Sequence, residues 1–233
     1  MKKYEAILFD LDGTLLPMDM DTFSKGYLHT LAEEMEKYGY CEQTLLPAMW
    51  RGVASMVKND GSVTNSDAFW KTFSDTLVQK VYDDIPLFDK FYSGRFNEAV
   101  KYTSPTPNAK KAVEYAKKCA DKIILATNPM FPTVAVKARL QWTGLKYEDF
   151  DYATDYTNSH YCKPNPKYFE EIAEKFSLNP EKCLMIGNNA EEDAKASMTL
   201  GFSSFLLTDC LICGGEMPDC PSGTFEDLFE FLK

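Results

Sequence analysis

The stretch AILFDLDGTLLP, residues 6–17, runs an apolar segment straight into two carboxylates. Ala6 to Phe9 read as a buried strand that ends at Asp10. Leu11 separates Asp10 from Asp12, and Gly13 and Thr14 come next. Side chains two apart on a strand share a face, so this reading puts both carboxylates in one space beyond the strand end. Two charges so close repel each other and raise one pKa, a cost that a divalent cation would relieve. Gly13 lets the chain turn away with positive φ.

Similar apolar runs recur in the second half of the chain. KIILATN (122–128), KCLMIGNN (182–189) and SSFLLTD (203–209) read as short buried strands. Helical patterns lie between them at 108–120, 131–144, 165–178 and 190–201, and FEDLFEFLK closes the chain as a short amphipathic helix. Pro107, Pro132 and Pro166 stand near helix starts, and Gly144 and Gly201 just past helix ends, the usual punctuation. Alternating strands and helices predict an α/β fold, a parallel sheet with helices on both faces. Such a sheet places ligands beyond the carboxyl ends of its strands.

Residues 18–104 read differently. Four amphipathic segments succeed one another with no strand pattern, the second holding Pro47 and the third preceded by a cap signal at Asn65 and Ser66. The expected organisation is a sheet domain over 1–17 and 105–233 with an inserted all-helical domain over 18–104. The aromatics Trp50, Phe69, Trp70 and Phe73 are expected to pack in the core of that insertion.

With 45% hydrophobic and 26% charged residues among 233, the composition is that of an ordinary globular protein. The formal charge of −10 disfavours nucleic acid and anionic membrane surfaces as partners. It leaves room for a small anionic substrate whose charge a metal and a few local cations would balance. No run approaches the roughly 18 apolar residues of a membrane span. Seven scattered cysteines give no disulfide framework, so the expected location is the reducing cytoplasm.

Three more strand ends carry polar groups suited to the same chemistry as Asp10 and Asp12. ILATN ends in Thr127 and Asn128, HYCKPNP offers Lys163, and MIGNNAEED offers Asn188 with Asp193 five residues on. Together, FDLDGT, ATN, KPNPKYF and IGNNAEED resemble the four motifs of the haloacid dehalogenase (HAD) superfamily. The resemblance implies a Rossmann-like fold whose helical insertion is a C1-type cap. It implies that Asp10 is the nucleophile that becomes an aspartyl phosphate, and that Asp12 is the general acid and base. Thr127 and Asn128 would bind the substrate phosphate, and Lys163 would neutralise charge and orient Asp10. Mg²⁺ would be held by the Asp10 side chain, the Asp12 main-chain carbonyl, Asn188 and Asp193.

The fourth motif usually begins Gly-Asp. Here Asn188 comes after Gly187, so the implied Mg²⁺ site is weaker by one charge. Relatives that break carbon–halogen bonds generally lack an acid two residues after the nucleophile, because halide leaves without a proton. Asp12 therefore favours phosphate esters, and the expected partner is a small phosphorylated metabolite. Two alternatives stay open: a phosphomutase or phosphotransferase on a sugar phosphate, and a binding protein on the same scaffold disabled at Asn188.

Overall fold

The computed structural model describes residues 2–77 and 81–233. Strand β1 (Tyr4–Phe9) is succeeded by helices α1 (Met20–Glu36), α2 (Glu42–Val57), α3 (Asn65–Thr76) and α4 (Val81–Ser93), then a 3₁₀ segment over Arg95–Tyr102. The sheet resumes with α5 (Asn108–Cys119), β2 (Ala120–Leu125), α6 (Thr133–Trp142), β3 (Tyr152–Ala153), α7 (Lys167–Phe176) and β4 (Cys183–Gly187). A π-helical turn (Ala190–Lys195) leads into α8 (Ala196–Met198), and β5 (Ser203–Leu207), β6 (Ser222–Gly223) and α9 (Phe225–Phe231) complete the chain.

The six strands form one parallel sheet in the order β3-β2-β1-β4-β5-β6. Strand β1 is central because it is apolar on both faces. Ile7 and Phe9 pack into a cluster with α5, α9 and the helical insertion. Ala6 and Leu8 pack into a second cluster with Tyr168, Phe169 and Ile172 of α7. Helices thus cover both faces, and the fold is Rossmann-like as expected. The sequence pattern does not reveal β3 and β6, since two residues apiece leave no apolar run to read.

Among the described residues, only helical elements lie between β1 and β2. Part of the third expected helix, residues 78–80, lies outside the described residues. Helix α3 is capped by Thr64, which accepts a hydrogen bond from the Asp67 amide, so the cap stands one residue before the expected Asn65. Asn65 is instead fully buried, and its amide donates to the Ser159 carbonyl at 2.9 Å while that of Ser66 donates to Tyr156 at 2.7 Å. These bonds tie α3 to the loop that leads to Lys163. Phe69, Trp70 and Phe73 are buried as expected, but Trp50 is 54% exposed on the outer side of α2. Among the described residues, no helix is long and apolar enough to cross a membrane.

Candidate active site

The strand ends gather the polar groups into one place. Asp10, Asp12, Thr127, Asn128, Asn188 and Asp193 line a cleft of about 300 Å³, which Met20 of α1 borders from the helical insertion. Lys163 lies beneath this cleft, 1% exposed.

Asp10 continues the β1 ladder, its amide donating to the Ile186 carbonyl at 2.9 Å. Asp12 reaches the same cleft by a different route from strand alternation. The chain turns at once, with Gly13 and Leu16 joined amide to carbonyl at 2.8 Å. Gly13 adopts φ +88°, and a Cβ there would lie 2.3 Å from the Asn188 amide nitrogen. Both the turn and the approach of Asn188 therefore demand glycine at this position.

Each oxygen of Asp10 is held. Lys163 Nζ donates to Oδ1 at 2.9 Å, and Thr14 Oγ1 lies 3.1 Å from Oδ2. The same hydroxyl lies 3.1 Å from Asn188 Oδ1. Asn188 is oriented in turn by donation from Nδ2 to the Cys210 carbonyl at 2.7 Å. Thr14 belongs to the first motif, but sequence reasoning gives it no role.

Lys163 also donates to Asp193 Oδ1 at 2.6 Å. Asp193 Oδ2 accepts from the amides of Asn188 and Asn189 at 3.1 and 2.9 Å. Gly187 leaves the room for this, since a Cβ there would meet the Asp193 carboxylate at 2.2 Å. Burial works against the Lys163 charge, but Asp10 and Asp193 more than offset it and hold its pKa above the ordinary lysine value. Burial pushes Asp193 up to about 6, against the pull of Lys163.

Asp193 sits within the π-helical turn, and the turn also places its neighbours. The sequence pattern suggests an ordinary helix over residues 190–201. The wider turn instead brings Glu192 to the cleft, where its Oε2 accepts from Asn128 Nδ2 at 3.0 Å. Burial raises the Glu192 pKa. The Asn128 side chain is otherwise committed to the Lys163 backbone, with Oδ1 accepting from the Lys163 amide at 3.2 Å and Nδ2 donating to its carbonyl at 3.3 Å. It holds the lysine loop in place, and its side chain is not a free phosphate donor. Thr127 lines the cleft, while its carbonyl accepts from Thr154 and Tyr168 at 2.7 and 2.9 Å.

Sequence reasoning missed Arg139. It lies on α6, fully buried, and its Nη1 donates to Asp12 Oδ2. Its guanidinium carbon sits 4.2 Å from the centre of the Phe131 ring. Among the described residues, Asp12 Oδ1 and Arg139 Nη2 are buried with no hydrogen-bond partner. Burial raises the Asp12 pKa, opposed by Arg139 and reinforced by Asp10. In sequence Arg139 resembles the nearby Lys137, an ordinary surface cation. The available signal was spacing, which puts it one turn from Ala135 and Val136 on the buried face of α6.

A hard cation is implied by the family, and the donor set bears on it. Asp10 Oδ2 and Asn188 Oδ1 converge on one hydroxyl, whose single hydrogen satisfies them only in part, so oxygen lone pairs remain to spare. This fits a hard, oxygen-preferring ion. Arg139 engages the side chain of Asp12, and Lys163 bridges those of Asp10 and Asp193. Among the described residues, no three His, Cys, Asp or Glu side chains form a metal-binding group.

The chain belongs to the haloacid dehalogenase-like hydrolases, whose family model matches residues 4–197. Among curated relatives, pyrophosphatase PpaX of Bacillus mycoides (strain KBAB4) is 25% identical over 187 residues, covering 80% of this chain and 76% of that protein. Among solved structures, the HAD-hydrolase YfnB of Bacillus subtilis bound to magnesium has a TM-score of 0.60 at 20% identity, with 100% of both chains covered. The 2-haloacid dehalogenase of Pseudomonas syringae pv. Tomato DC3000 has a TM-score of 0.63 at 17% identity, with 98% of both covered. At such identities the structures speak for the fold, which hosts more than one chemistry.

Proposed function

We propose that this hydrolase cleaves a phosphate monoester of a small metabolite through an aspartyl phosphate on Asp10. The observation that carries the reading is the setting of Asp10: a carboxylate at the cleft, paired with buried Lys163 and oriented by Thr14. A carboxylate so held is a nucleophile whose rotation is already restricted.

Asp10 attacks phosphorus and displaces the alkoxide, which takes a proton from Asp12. Asp12 then removes a proton from water, and the hydroxide formed attacks phosphorus in the acyl phosphate. Inorganic phosphate leaves and the Asp10 carboxylate is restored. Thr127 and Asn128 line the cleft where the phosphoryl oxygens would lie. Asp10 and Asn188 would hold Mg²⁺, with the Asp12 carbonyl as a third oxygen, and when bound the ion supplies positive charge to the phosphoryl group. YfnB, of the same fold, binds magnesium.

Asp12 separates this reading from dehalogenation, since halide needs no proton. A second reading, cleavage of a phosphoanhydride, is favoured by the likeness to PpaX. Its leaving group is a stable phosphate anion that has little need of a proton donor. A panel of phosphorylated metabolites with pyrophosphate, assayed with Mg²⁺ beside Asp10→Asn, tests the proposal. Phosphate release from a monoester by the wild type alone is expected. Equal release by the variant would remove Asp10 from its role, and release from pyrophosphate alone would favour the second reading.

A further inference from the structure

We infer that Arg139 is a positioning residue that presents one chosen oxygen of Asp12 to the reacting ester. The inference rests on the phosphatase reading above, and its geometry is independent of the nucleophile.

Arg139 is held through its Nε, its Nη1 and the ring beside it. Its Nε donates to the Ala135 carbonyl at 3.3 Å, one turn earlier on α6. Its flat face lies against Phe131. The Phe131 ring is itself wedged against Tyr27, Tyr92 and Phe96 of the helical insertion, with ring centres 5.5, 6.3 and 6.1 Å away. Nη1 then takes Asp12 Oδ2, and this carboxylate is the one Arg139 pairs with among the described residues.

The consequence falls on the other oxygen. Asp12 Oδ1 is buried and unpartnered although Asp12 lines the cleft. A buried carboxylate oxygen left without a donor is costly, and proteins rarely tolerate one. The ester oxygen that leaves, or the water that enters, would supply the missing partner. With Oδ2 engaged, the rotation of the carboxylate is restricted, and Oδ1 is the oxygen that hands over and takes back the proton. A lysine would not serve equally, because an ammonium lacks the planar fork that both stacks on Phe131 and fixes the carboxylate plane.

A residue that acts through a proton donor matters most when the leaving group is poor. Arg139→Met is expected to lower kcat/KM, which reports the step that expels the leaving group, about 100-fold on phenyl phosphate, the scale of a lost general acid, and by less than about 10-fold on p-nitrophenyl phosphate. Arg139→Lys should recover part of the loss. In an Asp12→Asn background, Arg139→Met should add nothing further. Equal losses on both esters, or losses that add to those of Asp12→Asn, would overturn the inference in favour of a purely structural role.

Should Arg139→Met not fold, Arg139→Lys carries the test, with the same selective loss expected at smaller size and an unchanged leaving-group ratio overturning it. Wild-type protein inert on both esters would count against the phosphatase reading instead. Crystal structures of the folded variants then decide the inference by themselves. The Asp12 carboxylate should turn from its present place, and an Asp12 that stays put would contradict the positioning role.

Discussion

The Lys163 ammonium lies 2.9 Å from Asp10 Oδ1, with both groups buried at the end of the central strand. The same ammonium reaches Asp193 at 2.6 Å, so one cation sits between two acids that would otherwise repel. Lys163→Met removes that cation and leaves two buried carboxylates. The expected loss is about 3–5 kcal/mol of stability, the usual effect of breaking a buried ion pair from one side. Urea unfolding reads it, and a loss below about 1 kcal/mol would show that the cluster relaxes without the lysine.

Asn188→Asp alters the donor set directly. The new carboxylate would face Asp10 through Thr14 and would lose the hydrogen bond to the Cys210 carbonyl. Without metal the variant should melt below the wild type, because two acids then share one small space. With Mg²⁺ the order should reverse, and half-saturating Mg²⁺ should fall about 10-fold, equivalent to about 1.4 kcal/mol. Thermal melts in EDTA and in a magnesium series measure both. A variant indifferent to magnesium would argue against a cation at Asp10 and Asn188.

Gly13→Ala tests the turn that brings Asp12 to the cleft. The residue has φ +88°, and the added methyl would press on the Asn188 amide. Backbone strain alone should cost about 1–3 kcal/mol in chemical denaturation, and the contact adds to it. Unchanged stability would mean that the loop refits with little strain.

Cysteine chemistry offers a check on the packing. Burial pushes the Cys162 and Cys183 thiols up to about 12, whereas Cys41 is exposed. Reaction needs the thiolate, so at mildly alkaline pH iodoacetamide should label Cys41 in the native protein and spare the other two until denaturant is added. Peptide mass spectrometry reads the sites, and rapid native labelling of Cys162 would contradict the close fit of α3 against its loop.

Sequence made the sheet readable wherever burial was strong. Ala6 to Phe9, Ile123 to Leu125 and Cys183 to Ile186 are continuous apolar runs because helices cover both of their faces. Asp10, Thr127 and Asn188 were legible for a related reason: each lies just past such a run, so a strand end locates it. The features that stayed hidden depend on tertiary detail. The π-helical turn that swings Glu192 to Asn128 has no signature in composition. Arg139 carries its function through burial and stacking, while its neighbours Lys137 and Gln141 look equally polar in the sequence. Asn128 reads as a phosphate ligand from its motif, yet its amide serves the Lys163 backbone, a pairing that links residues 35 apart.

The central claim is that Asp10 carries the phosphoryl group. Rapid acid quenching during turnover of a phosphate ester, with peptide mass spectrometry of the quenched protein, tests it most directly. One phosphoryl group is expected on the peptide that contains Asp10, absent when residue 10 is asparagine. Steady turnover with that peptide unmodified, or with the label on another residue, would contradict the claim.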